Sequence, residues 1–322
     1  MSASGRGGGA AIASVVALGL GALAWGTLVE RNAFTVRRET LPVLAPGARP
    51  LTLLHLSDLH MAPWQHAKQE WVRGLKIFEP DLIINTGDNL GHELGLRALE
   101  YALEPFRDVP GVYVNGSNDY VGPELKSPFT YLGGPSKGAR KKAPDLDTAA
   151  MEAFFDSLGW LNLNNAARAM SIKGSNIEFM GVNDPHAGWD RLDKLPGALD
   201  DLRENVGWLD DRHSPEAVTI ALAHAPYRRV LNSLVTNGAD VIFSGHTHGG
   251  QVCVPGYGAL VTNCDLPRDQ ARGLSLWHHA LRAAYLNVSA GLGTSIYAPI
   301  RFACKPEAVL VTLTGDDFSY SG

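Results

Sequence analysis

The sequence predicts an α/β domain preceded by one membrane-length helix, and three observations carry that expectation. Short apolar runs of strand length alternate with segments of helical periodicity across residues 51–120 and again across 218–251, the rhythm of an open sheet. Each of those runs ends in a polar motif, and sites in such sheets collect at the carboxyl edge of the strands. Ahead of both, residues 10–29 form an uncharged, mostly apolar stretch, as long as a helix needs to be to cross the hydrocarbon core.

Composition narrows the class. The 322 residues are 45% hydrophobic and 19% charged, enough to bury a substantial core. A net charge of −5 gives no basic footprint, so no nucleic-acid partner is expected. Cys253, Cys264 and Cys304 show no CxxC spacing, which excludes a cysteine-rich zinc knot or a disulfide-built fold and leaves one pair among the three open.

In order, residues 1–9 are a short tail and 10–29 the membrane helix, flanked by Arg6 and by Glu30-Arg31. A cleaved signal peptide is the competing reading, with Ala22-Leu23-Ala24 as its cleavage site. The single Arg before the run, and its continuation past Ala24, favour an anchor and a single-pass cell-membrane protein. Arg31, Arg37 and Arg38 follow the span against Arg6 before it; the count leans towards a cytoplasmic domain and leaves the side open. Residues 30–50 are a proline-broken connector with an edge strand. No linker interrupts 51–313, which reads as one domain, and 314–322 form a C-terminal tail.

Within the domain, strand 51–56 ends in Ser57-Asp58-Leu59-His60. Helix 69–78 follows, with Trp71, Leu75 and Phe78 on one face and Pro80 closing it. Strand 82–85 ends in Thr86-Gly87-Asp88-Asn89, and helix 95–106 leads to strand 112–115 and Gly116-Ser117-Asn118-Asp119-Tyr120. Residues 122–145 are loop-like, with a basic cluster at Lys137, Arg140, Lys141 and Lys142 that is either a solvated loop or a patch for anionic substrate or lipid headgroups. A helix over 147–158 precedes strands 160–163, 169–173 and 177–182. The last two form a hairpin about Gly174-Ser175 and run into Asn183-Asp184-Pro185-His186. After a helix over 199–209, strand 218–221 ends at His224, helix 229–237 follows, and strand 240–243 ends in Gly245-His246-Thr247-His248. Short strands, including 285–288 and 309–313, complete the domain.

The strand ends assemble Asp58, His60, Asp88, Asn118, His224, His246 and His248. Carboxylate and imidazole without thiolate suit Mn, Fe or Zn rather than a closed structural zinc. Seven donors exceed one tetrahedral ion and suit two ions sharing a carboxylate, which clamp phosphoryl oxygens and acidify a water. Taken singly, Asp58 could cap a helix, Asp88-Asn89 could be a turn and His224 a satisfied loop histidine. Those readings do not explain all of them at successive strand ends.

As an ordered set, Asp58-x-His60, Gly87-Asp88, Gly116–Asp119, His224 and Gly245-His246-x-His248 resemble the calcineurin-like metallophosphoesterases. Gly-His-Thr-His-Gly-Gly-Gln at 245–251, Ser289-Ala290-Gly291-Leu292-Gly293 and Pro299-Ile300-Arg301-Phe302 are similar to the membrane-associated bacterial phosphodiesterase branch. The resemblance implies a four-layer double β-sheet sandwich flanked by helices, with a dinuclear centre at one edge. Asp58, His60 and His248 would hold the first of two divalent ions, His224 and His246 the second, and Asp88 would bridge them. In the third motif the family has Gly-Asn-His-Asp/Glu, and this chain departs from it. In strict register Ser117 replaces the ligand and Asn118 the acid; slipped by one, Asn118 is the ligand, the better donor, and the acid is missing. His186 is the first candidate to replace that acid, with Asp119 and Tyr120 behind it. The resemblance implies a membrane-anchored, metal-dependent phosphoesterase, a phosphodiesterase in the narrower reading, acting on a lipid-linked, nucleotide or envelope-derived phosphoester. The alternative is a catalytically weak or inactive metal-binding scaffold on the same fold.

Overall fold

A computed structural model describes residues 5–123, 145–206 and 217–315, with side chains from Ser14 onward. The basic cluster at Lys137, Arg140, Lys141 and Lys142, the end of the 199–209 helix and all but the start of the C-terminal tail lie outside the described residues.

Helix α1 (Gly5–Ala24) carries no charge after Arg6 and continues through a π-helical turn at Trp25–Val29 and a 3₁₀ turn at Glu30–Asn32. The segment Ser14–Asn32 is long and apolar enough to cross a membrane. Its Val15, Leu18, Leu20, Leu23 and Leu28 side chains are all exposed, as no soluble core helix would leave them.

After α1 the chain enters the domain through β1 (Thr35–Pro42). Next come β2 (Leu51–Leu56), α2 (His66–Gly74), β3 (Leu82–Asn85), α3 (Leu96–Leu103) and β4 (Gly111–Tyr113), then α4 (Thr148–Ser157) and β5 (Leu161–Asn162). A second run has β6 (Ala166–Ile172), β7 (Ser175–Val182), α5 (Leu195–Val206), β8 (Val218–Ala223), α6 (Arg228–Thr236) and β9 (Val241–Ser244). It ends with the small ribbon β10 (Cys253–Val254) and β11 (Gly258–Ala259), then β12 (Gly273–His279), β13 (Arg282–Val288) and β14 (Glu307–Thr314). Two six-stranded sheets result, ordered β1-β14-β2-β3-β4-β5 and β12-β13-β9-β8-β7-β6. The β2-α2-β3-α3-β4 and β8-α6-β9 runs pair in parallel, as crossover helices require.

Alternation along the strands builds four layers. Leu51 and Leu53 of β2 meet Ile220 and Leu222 of β8 and Phe243 of β9 in a core between the sheets. Leu54 and Leu56 turn outward onto Val72, Leu99, Leu103 and Phe155. Ala221 and Ala223 turn the other way, under Leu199, Val230 and Leu234. The predicted sandwich of two sheets flanked by helices is the architecture observed.

One turn moves, and one strand finds its neighbour. The hairpin turns at Lys173-Gly174, not Gly174-Ser175: Ile172 pairs with Ser175, and both turn residues have positive φ, as a two-residue type I′ turn demands. The connector's edge strand, β1, pairs along its whole length with β14 in parallel. The segment after the helix is therefore woven into the first sheet.

Candidate metal centre

The sandwich places the carboxyl ends of β2, β3 and β4 opposite those of β7, β8 and β9. Asp58, His60, Asp88, His224, His246 and His248 are all buried there. Two groups of donor atoms converge, Asp58-His60-His248 and Asp58-Asp88-His224. Asp58 belongs to both groups, Asp88 Oδ2 faces one histidine of each, 3.6 Å from His60 Nε2 and 3.4 Å from His224 Nε2, and His248 Nε2 is 3.7 Å from Asp58 Oδ1.

The backbone is strained where these side chains start. Asp58, His60, Asp88, His246 and His248 all have φ between 40° and 67°, a region that side-chain-bearing residues enter at a cost of about 1–3 kcal/mol each and that clusters at functional sites. The close approach of the sheets depends on two glycines. A Cβ on Gly245 would run into Ser57 Oγ and Asp58 Oδ2, and one on Gly116 into Asp88 Oδ1.

Outer partners orient the donors. His224 Nδ1 donates to the Thr86 carbonyl at 2.7 Å, which turns Nε2 towards Asp88. His246 sets Nε2 against Asn263 and turns Nδ1 to within 3.3 Å of His224 Nε2. Asp58 sits at the end of a buried chain with one consistent direction. Asn287 Nδ2 donates to His55 Nδ1, His55 Nε2 to Thr86 Oγ1, Thr86 to Ser57 Oγ, and Ser57 to Asp58 Oδ2 at 2.6 Å.

Burial holds the His60 imidazole down at about 4 and those of His246 and His248 well below their ordinary range, so these rings are neutral, the state that ligates. Burial also opposes charge on Asp88 and His224, but their mutual attraction prevails, lowering the carboxyl and raising the imidazole well beyond their usual values. Burial lifts Asp58 to about 6. His60 Nε2 is buried, points at Asp88 and finds no hydrogen-bond partner among the described residues. Orphaned imidazole nitrogen, clustered carboxylates and the absence of thiolate together fit hard or borderline divalent ions.

The third motif lies against Asp88. Asn118 donates to its Oδ1 from the backbone at 2.8 Å and to its Oδ2 from Nδ2 at 2.6 Å, whereas Ser117 is buried below. Asp119, one of the candidate acids, accepts from the backbone nitrogens of Asp88, Asn89, Leu90 and Gly116, which locks the second and third motifs together. Tyr120 OH bonds Asn115 and Asn183. His186 reaches the centre: its ring lies 4.5 Å from that of His246, and its Nδ1 is 2.9 Å from Tyr227 OH. Sequence reasoning did not find Thr86, Asn263, His55 or the anchoring use of Asp119. Each works through a backbone group or a distant strand and leaves no local pattern.

The sequence profile of the calcineurin-like phosphoesterases matches residues 51–250. The chain is 26% identical over 273 residues to the Bacillus subtilis protein YpbG, covering 84% of each. It is 24% identical over 296 residues to the B. subtilis metallophosphoesterase YkuE, covering 89% of this chain and 86% of that one. It is also 24% identical to the Chlamydia trachomatis UDP-2,3-diacylglucosamine pyrophosphatase LpxG, over 89% and 91% of the two chains. The solved structure of TT1561 from Thermus thermophilus superposes with a TM-score of 0.42 at 15% identity, over 76% of this chain and 91% of that one.

Proposed function

The chain belongs to the calcineurin-like phosphoesterase family and is a phosphoric ester hydrolase; from that premise we propose a membrane-anchored phosphodiesterase working at a dinuclear centre. The observation that carries the two-ion reading is the position of Asp88, one of whose oxygens faces a histidine from each side of the cluster. Asp58, His60 and His248 would hold one ion, His224, His246 and the Asn118 amide would hold the other, and Asp88 would be the carboxylate they share. Mn, Fe or Zn bound there supply positive charge that polarises the phosphoryl group and acidifies water.

The chain's own residues do the rest. Asp58 and Asp88 fix negative charge where the ions sit. Thr86 and Asn263 hold His224 and His246 with one nitrogen turned inward. Asn118, held on Asp88, lines the phosphoryl position and donates no proton. His186 stands beside His246 with its Nδ1 on Tyr227 OH; its Nε2 is the group that gives a proton to the departing oxygen. The apolar helix and the likeness to LpxG, whose name specifies a diacylated sugar nucleotide, favour a lipid-linked phosphoester as substrate.

Metal analysis with hydrolysis of bis-p-nitrophenyl phosphate tests the reading. We expect two ions per chain, and Asp88→Ala to lose at least one of them and activity by 10³-fold or more, as removal of a bridging ligand and of charge stabilisation together imply. Full activity in that variant would overturn the dinuclear model, and two bound ions without turnover on any ester would leave the scaffold reading.

A further inference from the structure

Segment 298–304 joins two parts of the chain that lie far apart in sequence. Arg301 is fully buried. Its Nη2 donates to the carbonyls of Ala290, Gly291 and Gly293 at 2.7, 3.0 and 2.8 Å, and its Nη1 to those of His248 and Cys304 at 3.4 Å. A buried guanidinium is tolerated only when acceptors surround it, and five carbonyls do so. Two of them belong to glycines pressed on the first ligand group: a Cβ on Gly291 would stand 2.6 Å from Asp58 Cβ, and one on Gly293 2.7 Å from His60 Cβ. One side chain thus ties together the loops that carry or cover Asp58, His60 and His248.

The other side of the segment rests on the foot of the apolar helix. Arg301 N donates to the Gly26 carbonyl at 3.1 Å. Glu30, buried at the end of an apolar run, accepts from Cys304 N at 2.7 Å and from Trp25 Nε1 at 3.0 Å. The contact leaves no room: a Cβ on Gly26 would stand 2.6 Å from Arg301 O and 3.0 Å from Ile300 Cγ1, whereas one on Gly19 or Gly21 meets nothing within 4 Å. The rings of His224 and His246 are oriented by other groups, Thr86 and Asn263, and only the His246 backbone nitrogen touches the path, on Asp58.

We propose that the helix foot, Trp25–Glu30, is a positioning element of the metal centre and that Arg301 is the positioning residue through which it sets Asp58, His60 and His248. The inference rests on reading those three residues as one ion's ligands. It makes seating of the helix a condition for full occupancy of one ion and not of the other.

Matched glycine substitutions test it in the full-length protein in detergent micelles, titrated with Co(II), with the melting temperature of the metal-free protein as the second readout. Gly26→Val, Glu30→Ala and Arg301→Lys should each weaken one of two ions about tenfold or more, the usual effect of disturbing outer partners. The other ion should stay within threefold, and Gly21→Val should match the unsubstituted chain. Unchanged affinities in Gly26→Val and Glu30→Ala overturn the proposal. So does equal weakening of both ions with a fall in melting temperature, the mark of a merely structural role. If Arg301→Lys does not fold, the two foot variants decide alone. An unsubstituted chain that binds a single ion counts against the dinuclear reading instead. The proposal then stands if Gly26→Val weakens that ion as much as His248→Ala does, and falls if it does not.

Discussion

His224 is held from both sides by groups with opposite demands. The Thr86 carbonyl can only accept, so Nδ1 carries a proton whatever the state of the ring. Asp88 then draws a second proton onto Nε2, because their attraction outweighs the burial that disfavours charge. The sign of the consequence is fixed. The metal-free imidazole has a pKa well above its ordinary value and is charged at pH 7, so an ion must displace its proton. Metal uptake near pH 7 is therefore predicted to release about one proton at this site, and affinity should fall by up to about tenfold per unit of decreasing pH. Calorimetry in buffers of different ionisation enthalpy measures the release directly; a binding enthalpy independent of buffer would contradict it. His186 supports a second prediction at this scale. General acid assistance is worth about 10²–10⁴-fold where the leaving group is poor. His186→Gln should lose that factor on an alkyl phosphodiester and stay within a few-fold of the parent on p-nitrophenyl esters. Equal losses on both would remove His186 from the acid's role.

Residues differ in how far they announce themselves. Asp58, His60, Asp88, His246 and His248 stand out because each follows an apolar run within a few positions, beside glycines the close approach requires. Asp119, ranked behind His186 as a replacement acid, serves instead as an anchor. Its four backbone donors come from three neighbouring residues on another loop and one on its own, and spacing cannot reveal a partner 30 residues away.

At the scale of elements, the chain of hydrogen bonds under Asp58 crosses between the sheets. Arg37 of β1 donates to Asn287 of β13, Asn287 to His55 of β2, and His55 to Thr86 after β3. Burial, with the nearby Arg37 charge, lowers the His55 pKa to about 3, so the folded protein holds it neutral. The stability this represents is present above the unfolded-state value of about 6.5 and is lost as pH falls from there towards 3. His55→Leu should lower stability at pH 7 by about 1–3 kcal/mol, because Asn287 Nδ2 loses its acceptor in a buried site. It should also flatten the dependence of stability on pH between 6.5 and 3. Urea unfolding of both proteins across that range measures both effects, and parallel pH curves would exclude His55 as a source of acid lability. The elements themselves were legible where periodicity and breakers agreed, as in β2, β3 and β8. The hairpin slipped by one residue because Gly174 and Lys173 share the left-handed turn, and nothing local marks Lys173 for it.

For the whole molecule, the sequence showed strands but not their neighbours. β1 lies beside β14, and Thr35 pairs with Glu307; a contact of that separation has no trace in a window of ten or twenty residues. The same pairing bears on the proposed membrane anchor. Of the arginines after the helix, Arg37 is paired with Glu39 and Glu307, and Arg38 covers the Phe78 ring. On the proposed membrane-anchored reading, attachment rests on the exposed apolar side chains of the Ser14–Asn32 segment. Apolar insertion is indifferent to salt, whereas charge attraction is screened beyond about 3 Å at 1 M. The full-length chain should therefore float with neutral phosphatidylcholine vesicles in 1 M sodium chloride as completely as at low salt. Release by salt would assign attachment to charge, and failure to float at either ionic strength would remove the anchor. Because β1 follows the helix foot within a few residues and is bound into the sheet, an anchored domain has no tether on which to drift.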